Sequence, residues 1–182
     1  GPSGTAEAWE SSVEPVGSVD LSAFADNDGN PEASMSIACG ETLFVSAQRL
    51  DAGFNRVDCD LLIPVNAVTM ETYGSPIPLL GSWARQIHLD PKDASGHTIY
   101  VLSTGIERVD LETGSVAWAL PESVFLENDI GSFQVLSFAV AQDGWFHCGA
   151  GAEGQPFDRA IGTPHEEGRR FLRPPGLSGF RD

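Results

Sequence analysis

The chain has 182 residues, 41% of them hydrophobic, which is enough to bury the core of one domain and too apolar for a disordered chain. Its formal charge is −16, from 26 Asp+Glu against 10 Lys+Arg, and this excludes the basic face that nucleic acid or an anionic membrane surface demands. No run approaches the roughly 18 apolar residues of a membrane-spanning helix, and the opening "GPSGTAEAWE" has neither the basic nor the apolar stretch of a targeting signal.

Residues 1–15 read as a disordered or linker N-terminus. "VGSVDLSAF" (16–24) alternates like a strand and is expected to be the last strand of a preceding sheet. After the polar loop "FADNDGNPEA" comes a repeating unit: an apolar run, a tight turn and a second apolar run. "SMSIA", Cys39-Gly40-Glu41 and "TLFVSA" (42–47) form the first example. "ARQIHL", Ala94-Ser95-Gly96-His97 and "TIYVLS" (98–103) form the second, and "FQVLSFAVA", Gln142-Asp143-Gly144 and "WFHCGA" (145–150) a third. Downstream, "VNAVTM" (65–70) lines up with "VDLETG" (109–114), which sets Asn66 on Asp110 and Thr69 on Thr113. An Asp or Asn at that place suits a tight turn, because its side chain can bond backbone groups two residues on.

The copies are offset by roughly 44 to 56 residues, a period that belongs to propellers and solenoids. Runs such as Leu43-Phe44-Val45 and Ile99-Tyr100-Val101 are apolar on both faces, so each sheet is expected to lie between neighbours. With 20 Gly and 12 Pro scattered throughout, no window keeps a helical period for long. The reading is all-β: a partial β-propeller of about three four-stranded antiparallel blades plus a leading strand. The propeller spans 16–151, with blades near 34–73, 83–121 and an incomplete 132–151, and a loosely ordered tail fills 152–182. A closed propeller needs four to eight blades. The chain is therefore expected to be part of a larger one, and to self-associate through exposed blade faces.

Tyr100-Val101 followed by Val109-Asp110-Leu111-Glu112-Thr113-Gly114 resembles the YVTN-type β-propeller repeat. The resemblance covers 98–116 most closely, then 34–73. "VDLSAFADNDGNPEASMSIACGETLFVSAQRLD" is also similar to stretches of secreted propeller lipoproteins of the myxobacterial type. That resemblance implies a propeller fold and a bacterial envelope location (periplasmic, outer-membrane-associated or extracellular), without a known activity.

In such a propeller, the loops joining strands two and three share a rim with the inter-blade loops. From Val45 to Val65 is about 20 residues against about eight from Val101 to Val109, so the first copy carries an insertion near "QRLDAGFNRVDCD". The same rim takes "GSPIPLLGS" and "ESVFLENDIGS". Long loops on a rigid scaffold carry function, so Arg49, Asp51, Arg56, Asp58, Asp60, Glu127 and Asp129 are the expected binding rim.

Within "DNDGNPE", Asp26, Asp28, Asn30 and Glu32 alternate and offer oxygens to a hard cation such as calcium, although the glycine position and missing last glutamate depart from an EF-hand. The plainer alternative is a polar turn. No other cofactor is indicated. Cys39, Cys59 and Cys148 have no metal-binding or redox spacing. Cys39 and Cys59 fall at opposite ends of a strand about 18 Å long, beyond disulfide reach, so buried free thiols are expected. His147 and Cys148 point to opposite faces of one strand and cannot form a dyad. No nucleophile elbow or phosphate loop is present. The expected function is a non-catalytic binding propeller with an unknown protein or small-molecule ligand. The alternative is a calcium-dependent hydrolase of the phytase or lactonase kind, using a metal-activated water.

Overall fold

Each group of turn-separated apolar runs folds into its own antiparallel meander. The computed structural model describes residues 17–126, 135–141, 146–152, 155–162 and 171–172. The first sheet joins β1 (Ala33–Cys39), β2 (Thr42–Ala47), β3 (Leu61–Asn66) and β4 (Glu71–Thr72) in that order, with β5 (Ile77–Pro78) also paired to β3. The second runs β6 (Gln86–Leu89), β7 (Thr98–Leu102), β8 (Ile106–Asp110) and β9 (Ser115–Leu120). The third runs β10 (Val135–Val140), β11 (Phe146–Ala152), β12 (Gln155–Gly162) and β13 (Phe171–Leu172). The protein is thus all-β, built of antiparallel sheets. Helix is confined, among the described residues, to a turn at Ser22–Phe24 and the short α1 (Glu122–Leu126).

The second sheet is covered on both faces, because β7 is apolar at consecutive positions and successive side chains point opposite ways. Ile99, Val101 and Val109 meet Phe44, Leu62, Ile77, Leu79 and Ala84 of the first sheet and its following linker. On the other face Tyr100, Leu102, Ile106 and Leu120 meet Val124 and Phe125 of α1 and Phe138, Phe146 and Cys148 of the third sheet. Tyr100 and Phe146 pack edge-to-face, centroids 5.0 Å apart. The sheets touch in chain order through their first strands, β1 beside β6 and β6 beside β10. Ser34 Oγ donates to the Ala84 carbonyl at 2.8 Å, and the Phe138 N–H donates to Gln86 Oε1 at 2.7 Å.

The repeated turn is reproduced residue by residue. Asn66 Oδ1 accepts the N–H groups of Val68 and Thr69 at 2.8 and 2.9 Å. Asp110 Oδ1 accepts those of Glu112 and Thr113 at 3.0 and 2.9 Å. Each turn ends on a left-handed residue, Met70 at φ 57° and Gly114 at φ 70°.

Four expectations need correction. Residues 17–21 pair with no strand; Val19, Leu21 and Phe24 instead cover the outer face of the first sheet over Val45, Ala47, Ile63 and Val65. An alternating pattern supplies an apolar face, but a strand also needs a ladder partner. That face is therefore covered. The fourth strand of the first sheet is broken into β4 and β5, which share the edge of β3 on either side of Gly74 (φ 65°) and Pro76. The third sheet continues past residue 152, where a loose tail was expected: β12 pairs with β11 from Gln155↔Ala152 to Ile161↔Phe146. The Gly- and Pro-bearing sequence of β12 lacks a strand pattern of its own and takes its conformation from its neighbour's ladder. The cysteines are free as expected, yet only Cys148 is buried; Cys39 and Cys59 are half-buried.

Candidate functional site

The insertion between β2 and β3 is a small self-braced loop. Leu50 and Arg56 form an isolated antiparallel bridge, and the Val57 N–H donates to the Arg49 carbonyl at 2.9 Å. Inside it, Asp51 is the organiser. Its Oδ1 accepts the N–H groups of Gly53 and Asn55, both at 2.8 Å, and Asn55 Nδ2 reaches both of its oxygens at 3.1 and 3.2 Å. Hydrogen bonding from Asn55 holds the Asp51 carboxyl below its ordinary value. Phe54 crowns this turn at φ 60°, with its side chain 75% exposed, and Val57 is exposed nearby in the chain. A bulky residue in a left-handed conformation is uncommon, and here the Asp51 bonds on either side hold it.

The acidic loop before β1 joins the insertion. The Gln48 N–H donates to the Glu32 carbonyl at 3.2 Å and the Leu50 N–H to Glu32 Oε2 at 3.5 Å. Asp26, Asp28 and Asn30 each turn a side-chain oxygen onto the backbone two residues on: Asp28 N–H at 3.2 Å, Asn30 N–H at 2.8 Å and Glu32 N–H at 3.4 Å. This is the polar-turn chemistry of Asx residues. Burial, then the charges of Asp28 and Asp26, raise the Glu32 carboxyl above its ordinary value. Asp26 Oδ2 is buried with no hydrogen-bond partner. Among the described residues no three His, Cys, Asp or Glu side chains form a metal-holding group.

Asp60, expected on the binding surface, is fully buried and belongs to the frame beneath it. Its Oδ1 accepts the Arg49 N–H at 3.2 Å and its Oδ2 the Ala84 N–H at 2.6 Å. Its own backbone closes on the inter-sheet linker, with the Asp60 N–H on the Gly81 carbonyl at 3.3 Å and the Leu79 N–H on the Asp60 carbonyl at 2.8 Å. Desolvation pushes its carboxyl up to about 6. From the second sheet, Glu107 reaches the same linker: Oε2 accepts the Leu80 N–H at 2.5 Å, Oε1 the Gly81 N–H at 3.1 Å, and Oε1 is also bonded by Ser103 Oγ. Glu107 is fully buried, and burial raises its carboxyl.

The remaining rim residues divide. Asp58 and Arg56 are exposed; Asp58 Oδ1 accepts the Cys59 N–H at 2.8 Å, and Arg56 Nη2 lies 3.5 Å from Cys59 Sγ. Arg49 is half-buried, with Nε unpartnered. Glu127 and Asp129 lie outside the described residues. His88 and His97 lie away from this rim: His88 packs edge-on to Phe138 at 4.8 Å, and His97 pairs with Glu112 at 3.4 Å beyond the opposite strand ends. The rim can therefore present an aromatic knob among carboxylates, but it assembles no base–nucleophile pair among the described residues. Phe54 and Glu107 were both missed in the sequence. An apolar residue inside a polar insertion, "AGFNR", was the signal for the first; a lone glutamate in an apolar strand, "GIERVD", was the signal for the second.

The fold and rim define an all-β protein of successive antiparallel sheets with one elaborated loop edge. No protein-family model, curated protein or solved structure matches the chain. No described helix is long and apolar enough to cross a membrane.

Proposed function

We propose that the three sheets are consecutive blades of a YVTN-type β-propeller and that the chain is a non-catalytic binding module of the bacterial envelope. Supporting the blade reading are the chain-order contacts through β1, β6 and β10 and the duplicated turns at Asn66 and Asp110. The binding reading rests on one observation: Asp51 braces the insertion so that Phe54 stands 75% exposed at its tip. A preorganised aromatic is the kind of side chain that anchors an interface, because little conformational entropy is lost when it docks.

Val68, in the β3–β4 turn at the opposite end of the strands, is also 75% exposed and supplies the control. A photo-crosslinking benzoylphenylalanine at position 54 or 68 separates the rims in an envelope extract of the source cells. A discrete adduct from position 54 that position 68 does not give supports the reading; the same adducts from both, or none from 54, overturn it. The second reading, a calcium-dependent hydrolase, draws support from the buried, unpartnered Asp26 Oδ2 beside Asp28 and Glu32.

A further inference from the structure

The linker between the first two sheets is held by two buried carboxylates. Asp60 grips Ala84 from one side and Glu107 grips Leu80 and Gly81 from the other. The Ala84 carbonyl also takes Gln48 Nε2 and Ser34 Oγ, both at 2.8 Å, which draws residues 79–84 onto the first sheet. All the hydrogen bonds shown at these two carboxylates are accepted. Each donor favours the ionised form, yet two like charges share a dry junction, and desolvation outweighs the donors at both groups.

The charged groups acting on Asp60 are Glu107, of like sign from β8, and Arg56 of the exposed insertion, which opposes it more weakly. Asp58 and Cys59 flank it in the chain. Arg85, from the linker, places Nη1 3.4 Å from the Trp83 carbonyl, and the Arg49 guanidinium leaves Nε unpartnered.

We propose that Asp60 and Glu107 form a proton-responsive latch between the first and second sheets, closed when the pair holds a proton and loosened when both are ionised. The sign follows from the raised carboxyls. The folded protein keeps a proton on Asp60 up to about pH 6, whereas the unfolded chain loses it near 3.8. The stabilisation is complete below the lower value and is lost as pH rises through the upper one. Because the Arg49 N–H and the Gly81 carbonyl belong to the same network, loosening it frees the base of the insertion that carries Phe54.

Two measurements on the unaltered protein test the latch. Carboxyl carbon NMR is expected to show Asp60 titrating near pH 6, and a midpoint below about 4.5 overturns the proposal. Amide hydrogen exchange, corrected for its intrinsic pH dependence, is expected to show protection at Leu80, Gly81 and Ala84 falling roughly tenfold or more between pH 5 and pH 8. Protection at Ile99 and Val101 in β7 stays unchanged over the same range; equal losses at all five sites, or none, overturn it. Asp60→Asn is expected to remove the difference between the two pH values, and an undiminished difference in that variant overturns it as well. If the variant does not fold, the two wild-type measurements decide.

Discussion

Asp60 and Asp93 are the same residue type and answer acid in opposite directions. Asp93 lies in the β6–β7 hairpin, where its carboxylate accepts the Ser95 N–H at 2.9 Å, the Thr98 N–H at 2.7 Å and the Ser95 hydroxyl. These donors hold it well below the usual carboxylate range. Its contribution is present above the unfolded value of 3.8 and fades as pH falls through the folded one. Asp93→Asn should therefore leave the urea midpoint's pH dependence between 5 and 8 as in wild type, while Asp60→Asn flattens it; matching slopes in the two variants would contradict this. Near Asp60, space is as tight as charge. A Cβ on Gly81 would press on Ser103 Oγ and sit 2.8 Å from Thr104 Oγ1. Gly81→Ala should cost roughly 1–3 kcal/mol in denaturant unfolding, because the linker cannot retreat without breaking its bond to Glu107.

At the scale of elements, the two copies of the Asx turn make a paired experiment. Gly114 is left-handed with open space around it, its nearest contact being Ile77 Cγ1 at 3.8 Å, so Gly114→Ala should cost about 1 kcal/mol through backbone strain alone. Met70 holds the equivalent place at φ 57°, so Met70→Gly should be neutral or stabilising by up to about 1 kcal/mol. Equal destabilisation of both variants in thermal melts would show that the turns are not equivalent.

These turns were legible because a tight turn is specified by its own residues, Asn66 with Thr69 and Asp110 with Thr113. The core strands were legible for a similar reason: their apolar runs are continuous, as at Ile99-Tyr100-Val101. What depends on a distant partner was not legible. Val19 and Leu21 carry a strand's pattern and find no ladder, β12 lacks the pattern and is given one, and Asp60 reads as surface until Ala84 and Arg49 close over it. The calcium set was legible both as a group of oxygens and as a polar turn, and Asp26, Asp28 and Asn30 each turn one of those oxygens onto the backbone two residues on.

For the whole molecule, the formal charge of −16 is a standing repulsion that folding concentrates, since the acidic loop and the insertion share one edge. Salt screens such repulsion over about 10 Å at 0.1 M, so added sodium chloride should raise the melting midpoint without any site being filled. Calcium is then a separate question, and the two proposed functions answer it differently. The binding-module reading expects calcium and magnesium to stabilise alike at matched ionic strength, because both act only as screening ions. The hydrolase reading needs an increment with calcium alone. That increment must vanish in Asp26→Asn, which changes one ligand oxygen of a would-be site while leaving Oδ1 able to hold the Asp28 N–H. Melts in sodium, magnesium and calcium chloride for the two proteins are the measurement. The expected result is three coincident curves for each, with Asp26→Asn melting slightly higher at low salt because it carries one charge fewer. A calcium-specific rise in the wild type that the variant lacks would transfer the argument from Phe54 to the acidic loop.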